Sequence, residues 1–285
     1  MQAAGTFHKR SPPLAQLAMP ESSKTVPITD TASAARKRRG RRFNCAVLAA
    51  VGLYLGLLHE PRPLFAHTRR AGPFEIYSEQ PASSELAVRL EAARLRIEKS
   101  PLYRSGTRFK LAFADTAWRR RLLSPLAGGA FGSTLSASGL IVLNRAEPES
   151  DVIVNDRTEY ARRSLTEVIA HECTHRLLRD RLGVLGSQLL PTWIAEGYCD
   201  YVAGGTTIPR EVGEPALLSL SAGDQPAWRY FASWFAVRHL LEVEHWTVEE
   251  LIRCRLTFNQ ALYAAMNHAR RRGGGPGGTL PEKTP

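Results

Sequence analysis

The run His171-Glu172-Cys173-Thr174-His175 decides how this chain is read. Residues four apart lie on one face of an α-helix, a turn from each other. Both imidazoles can therefore reach a single metal ion, and Glu172 points toward the same open coordination position. The surrounding sequence predicts the helix on its own account. Leu165, Val168, Ile169, Glu172 and His175 keep the helical spacing. Ser164 with Glu167 three residues on forms a candidate capping box. Gly183 suits a C-terminal stop, and Arg176, Arg179 and Arg181 complement the negative end of the helix dipole. Taken alone, the five residues also suit an ordinary amphipathic helix that carries two histidines.

The downstream sequence separates these readings. After Pro191 comes Trp193-Ile194-Ala195-Glu196-Gly197-Tyr198-Cys199-Asp200, which predicts a second, shorter helix. The spacer from His175 to Glu196 is long enough for one loop and a returning helix. Such a return delivers a third ligand, giving two His and one Glu with a fourth position left for water. Asp200 lies one turn beyond Glu196. A carboxylate there can accept the second N–H of a ligating His, which fixes its tautomer and raises its basicity.

These residues resemble the gluzincins, the thermolysin-like and aminopeptidase-like zinc metallopeptidases, and especially the small bacterial peptidase MA-like domains. The resemblance spans roughly residues 74–272 and is specific over 164–203. It implies that His171, His175 and Glu196 bind Zn2+, that Glu172 is the general base, and that Asp200 supports a ligand from behind.

Charge mapping argues against a nucleic-acid protein. The chain of 285 residues has a net charge of +11, of which residues 1–42 carry +7 and residues 270–285 carry +3, leaving +1 for 43–269. The part able to fold is close to neutral, so no basic binding face is implied. Residues 1–42 are rich in Ala, Ser, Thr and Pro and read as a disordered basic tail, ending in Arg36-Lys37-Arg38-Arg39-Gly40-Arg41-Arg42. Residues 43–58 are uncharged and almost wholly apolar. Their length sits just below the ~17–25 residues of a spanning helix. A secretory apolar region of ~7–15 residues is the competing reading, but no clean small-residue cleavage site follows. The expectation is an uncleaved signal anchor over residues 43–59. The basic cluster before it puts the N-terminus in the cytoplasm and the following domain outside it, in a periplasmic or extracellular space. Residues 60–73 read as a linker, 74–272 as the peptidase domain and 273–285 as a disordered Gly/Pro-rich tail.

Within the domain, residues 74–78 and 108–114 read as strands and 84–99 as a helix. Residues 130–135 and 139–144 suggest a hairpin, and 151–155 one more strand. Helices follow over 226–244, 247–254 and 259–270. Strands first and helices after give an α+β order. This is also the order of gluzincin domains, where a small mixed sheet with an edge strand precedes the active-site helix and a helical half follows it. In that family the edge strand holds extended substrate by main-chain pairing. Residues 131–135 are the first candidate for it and 140–144 the second; either is equally readable as a plain buried hairpin.

The resulting expectation is a membrane-anchored zinc peptidase acting on a peptide or protein substrate. Zinc lowers the pKa of a bound water toward ~7 and polarises a carbonyl. Glu172 would carry the proton to the leaving amine. The oxyanion needs a further donor. Tyr230, His239, His245, Tyr263 and His268 are available, with Tyr230 first and core packing as its rival role. Cys173 lies roughly 200° around the helix from His171 at ~100° per residue, which makes it a poor ligand. Cys173 and Cys199 either bridge the two ligand helices or stay as free buried thiols. Two alternatives stand beside the main reading: a catalytically silent zincin-fold binding module, and a secreted soluble metallopeptidase.

Overall fold

Three parallel strands form the centre of the protein, and their sequences explain why. The computed structural model describes residues 31–125, 130–155 and 162–272. Strands β2 (Phe74–Ser78), β3 (Phe109–Phe113) and β5 (Leu140–Leu143) are buried along almost their whole length, with only Glu75 and Lys110 half-buried, as a sheet covered on both sides requires. The sheet is closed at its two sides by β1 (His67–Ala71) and β4 (Gly132–Thr134), each antiparallel to its neighbour, in the order β1-β2-β3-β5-β4. One face packs Phe74, Ile76, Leu111 and Ile141 against α2 (Ser84–Ile97) and α4 (Leu165–Leu189). The other packs Tyr77, Ala112 and Val142 against Leu123 of α3 (Ala117–Leu123) and Phe65. Strand β1 lies inside the expected linker; its His-Thr-Arg-Arg-Ala sequence is almost wholly exposed and gives no alternation to detect.

A second small sheet, β6 (Ala146–Glu147), β7 (Val152–Val154) and β8 (Arg162–Ser164), leads directly into α4. Ser164 ends β8 and caps α4, its hydroxyl accepting from the Glu167 N–H at 3.2 Å. Asp151, in left-handed backbone with φ 53°, accepts from the Thr166 N–H, the Thr166 hydroxyl and the Ser164 hydroxyl. A carboxylate at this positive helix end is favourable. The helical path breaks at Gly183, where φ is 74° and ψ is 173°, at the stop read from the sequence.

The helical half contains α5 (Thr192–Ala203), α6 (Arg210–Leu218), α7 (Pro226–Glu242), α8 (Val248–Ile252) and α9 (Phe258–Arg272). Leu178 of α4 joins Ile194, Tyr198, Ala236, Val237 and Leu251 in a second core. Ile208, Leu217, Phe231, Phe235 and Met266 form a third. Gly197 lets α5 approach α7 closely: a Cβ there would lie 2.5 Å from the Ser233 carbonyl oxygen. The mixed α+β architecture agrees with the sequence reading.

The chain divides into two units, Met1–Ala50 and Val51–Pro285. Helix α1 (Thr31–His59) begins within the segment expected to be irregular. The remainder of that expected tail, and the tail at 273–285, lie outside the described residues. Among the described residues no helix is long and apolar enough to cross a membrane. This corrects the signal anchor over 43–59, and with it the single-pass membrane localisation that placed the N-terminus in the cytoplasm and the following domain outside it. The physical reason is length and use. The apolar run of 16 residues makes roughly 24 Å of helix against ~30 Å of hydrocarbon. Its end is also committed to protein contacts: Tyr54 Oη donates to the Leu122 carbonyl at 2.9 Å, and Leu58 packs on the Phe65–Tyr77 cluster.

Candidate metal centre

Helix α4 is buried along its first three turns, so His171, Glu172 and His175 sit in a wall shared with the sheet core. Helix α5 returns beside it and carries Glu196 and Asp200. His171 Nε2 and His175 Nε2 lie 3.2 Å apart. Glu196 Oε2 is 3.2 Å from the first and 3.4 Å from the second. Donors bound at 2.0–2.1 Å to one tetrahedral ion stand about 3.3–3.4 Å from each other. The triangle therefore has the dimensions of three corners of such an ion's shell.

The back of the site fixes which nitrogen faces that triangle. His171 Nδ1 lies 2.7 Å from Asp200 Oδ1 and donates to it, which turns Nε2 toward His175 and Glu196. Asp200 is completely buried, and the same oxygen accepts from Arg163 Nη2 at 2.7 Å. Arg163 also donates to the Gly205 carbonyl at 2.8 Å, which ties β8 to the end of α5. Burial pulls the His171 imidazole down, but Asp200 and Glu196 outweigh it and hold it up at about 10. Burial pulls His175 down too, and Glu196 reverses it. Burial pushes Glu196 and Asp200 up; the imidazoles, and for Asp200 chiefly Arg163, hold both below the ordinary carboxylate range. Asp200, Glu167 and Glu172 surround the buried Arg163 guanidinium, while Glu196 faces the two imidazoles.

His171, His175 and Cys199 also form a group able to hold a metal ion, with donor atoms within 4.8 Å of one another. The two donor sets compete for the third position. Burial pushes the Cys199 thiol well up, away from the thiolate that binds a metal. Glu196 Oε2 stands 3.2 and 3.4 Å from the two nitrogens. No family model matches this chain, and no curated protein matches it.

Glu172 leans on β4. Thr134 Oγ1 lies 2.8 Å from Glu172 Oε2 and 2.8 Å from the Glu172 carbonyl oxygen, and its hydroxyl hydrogen serves these two acceptors. A Cβ on Gly132 would stand 2.9 Å from Glu172 Cγ, so a side chain there would displace the carboxylate. β4 is the terminal strand of the sheet among the described residues, whereas 140–143 are interior. Phe131 and Leu135 bond to β5 through Asn144 N–H and the Leu140 carbonyl. The antiparallel alternation then turns the main-chain groups of Gly132 and Thr134 outward.

Tyr230 stands near the start of α7 and is 39 % exposed. Glu196, then burial, then Asp200 and Glu172 push its phenol well up, which keeps it a neutral donor. The other candidate donors differ: Tyr263 is largely exposed, His245 is exposed, and His239 pairs with His268. All four cysteines are free, so Cys173 and Cys199 form no bridge. Thr134, Gly132, Arg163 and the donor position of Cys199 escaped the sequence reading. Only Arg163, a charged residue directly before a helix cap, left a local trace.

Proposed function

We propose that this chain is a zinc-dependent peptidase of gluzincin type with a zincin-like fold. The reading is carried by one observation: two imidazole nitrogens and one carboxylate oxygen at 3.2–3.4 Å from each other, with Glu172 beside them. His171, His175 and Glu196 would hold the ion, which when bound supplies Lewis acidity that brings a water's pKa toward ~7 and polarises a carbonyl. Glu172, held by Thr134 against Gly132, takes a proton from the attacking water and passes it to the leaving amine. Asp200, itself held by Arg163, keeps His171 in its ligating tautomer. The outward main-chain groups of Gly132 and Thr134 pair with an extended peptide as an added strand. The neutral phenol of Tyr230 donates to the oxyanion.

A second reading is favoured by the His171–His175–Cys199 group: a closed structural site in a catalytically silent module, since structural zinc sites lack an open position. One comparison separates them. Purified full-length chain is assayed for zinc content and for hydrolysis of a mixed peptide library, as wild type, Glu172→Gln and Cys199→Ser. The peptidase reading expects Glu172→Gln to keep its zinc and lose roughly 10²–10⁴-fold in turnover, with Cys199→Ser near wild type. Zinc lost in Cys199→Ser, with no turnover in any form, selects the closed site.

A further inference from the structure

Far along α7 from Tyr230, two histidine rings lie side by side, and the Nε2 of each makes no hydrogen bond among the described residues. His239 on α7 is 5 % exposed, and its Nε2 is buried without a hydrogen-bond partner among the described residues. The same holds for Nε2 of His268 on α9. Their ring centroids are 5.2 Å apart with planes at 50°. Two imidazoles sharing one tetrahedral ion at 2.0–2.1 Å hold their centroids about 5 Å apart. His171 and His175, whose nitrogens converge, give 4.9 Å. The third group is Glu244, whose Oε1 lies 3.4 Å from His239 Nε2. The turn after α7 places it there, because the Glu244 N–H donates to the His239 carbonyl at 3.1 Å and folds the carboxylate back over the ring.

We propose that His239, His268 and Glu244 form a second site for a divalent transition-metal cation, joining the end of α7 to α9. Buried ring nitrogens rarely go without a partner, and two in one pair point to a shared one. Two imidazole nitrogens and one carboxylate oxygen suit zinc, cobalt or nickel; calcium and magnesium prefer oxygen alone. His239 lies nine residues beyond Tyr230, about 13 Å along the helix, so this site is separate from the centre on α4 and does not depend on the peptidase reading.

The test is a metal count on the full chain. Protein stripped with chelator is loaded with excess Zn2+, desalted and analysed by elemental mass spectrometry. The double variant His171→Gln/His175→Gln is expected to retain one zinc per chain, and adding His268→Gln to remove it. If the double variant does not fold, the same loss of one zinc is read in wild type against His268→Gln. Glu244→Gln, at a half-buried position, should weaken this zinc on the order of tenfold or more in chelator competition. Zn2+ should also raise the melting midpoint of the double variant, and His268→Gln should abolish that rise. A double variant that folds but holds no zinc, or a zinc count that His268→Gln leaves unchanged, overturns the proposal.

Discussion

Asp200 puts one carboxylate oxygen between two donors, His171 Nδ1 and Arg163 Nη2, each at 2.7 Å and all of it shielded from water. Its work on a metal is indirect, through the orientation of His171. Asp200→Asn should therefore weaken zinc by 10–100-fold, read by competition with a coloured chelator; unchanged affinity removes its positioning role. Thr134 acts on Glu172 in the same indirect way. A hydrogen bond to a charged group contributes about 1.5–3 kcal/mol, so Thr134→Val should slow turnover by about tenfold or more while the zinc content stays at the wild-type level. A fall in zinc content instead would show that the threonine holds the helix rather than the base. Asp200 was legible one turn beyond Glu196, whereas Thr134 and Arg163 were not legible before folding. Glu172, His171 and His175 declare themselves by a local spacing of three and four along one helix. Thr134 meets Glu172 across 38 positions of sequence and Arg163 meets Asp200 across 37, and no local pattern records such a meeting.

At the scale of elements, helices with a strong period or a cap were readable: α2 with Leu86, Leu90, Ala93 and Ile97 on its buried face, and α8 with its reciprocal Thr247–Glu250 capping box. Elements that owe their form to a neighbour were not. Strand β1 exists through its pairing with β2, and its exposed basic residues are what an edge strand carries to discourage further pairing. Helix α6 has Pro215 inside it and packs Gly213 against the Phe231 ring, a contact invisible to propensity. Two helical glycines, Gly197 on α5 and Gly56 on α1, give a contrast. Gly197→Ala drives a methyl into the Ser233 carbonyl of α7 and should destabilise by about 1–3 kcal/mol or more. Gly56→Ala, where a Cβ meets nothing within 4 Å, should be neutral or stabilising by about 0.5–1 kcal/mol. Urea unfolding of both decides it. Equal midpoints would show that α5 and α7 separate without cost.

For the whole molecule, the sequence predicts the α+β order and where the candidate site lies, but misleads over residues 43–59. An apolar run reads as a span because hydropathy does not reveal which side chains a domain will recruit, and Tyr54 and Leu58 are recruited. A cation held by α4 and α5 stabilises only the folded chain. At a free concentration near a thousand times its dissociation constant it contributes about 4 kcal/mol. Stripping it should lower the melting midpoint by roughly 10 °C in a domain of this size, and calorimetry with and without chelator measures it. Identical midpoints would leave the donor triangle without a metal role.

The donors of that triangle come from different cores. The residues flanking His171 belong to the packing of α4 on the sheet, whereas Glu196 rides on a helix whose apolar side belongs to the helical half. A half-assembled chain, with either core still open, has at most two of the three corners in place. Tight uptake of an ion by this triangle would therefore wait until both cores have closed, and the moment of capture would date the completion of folding.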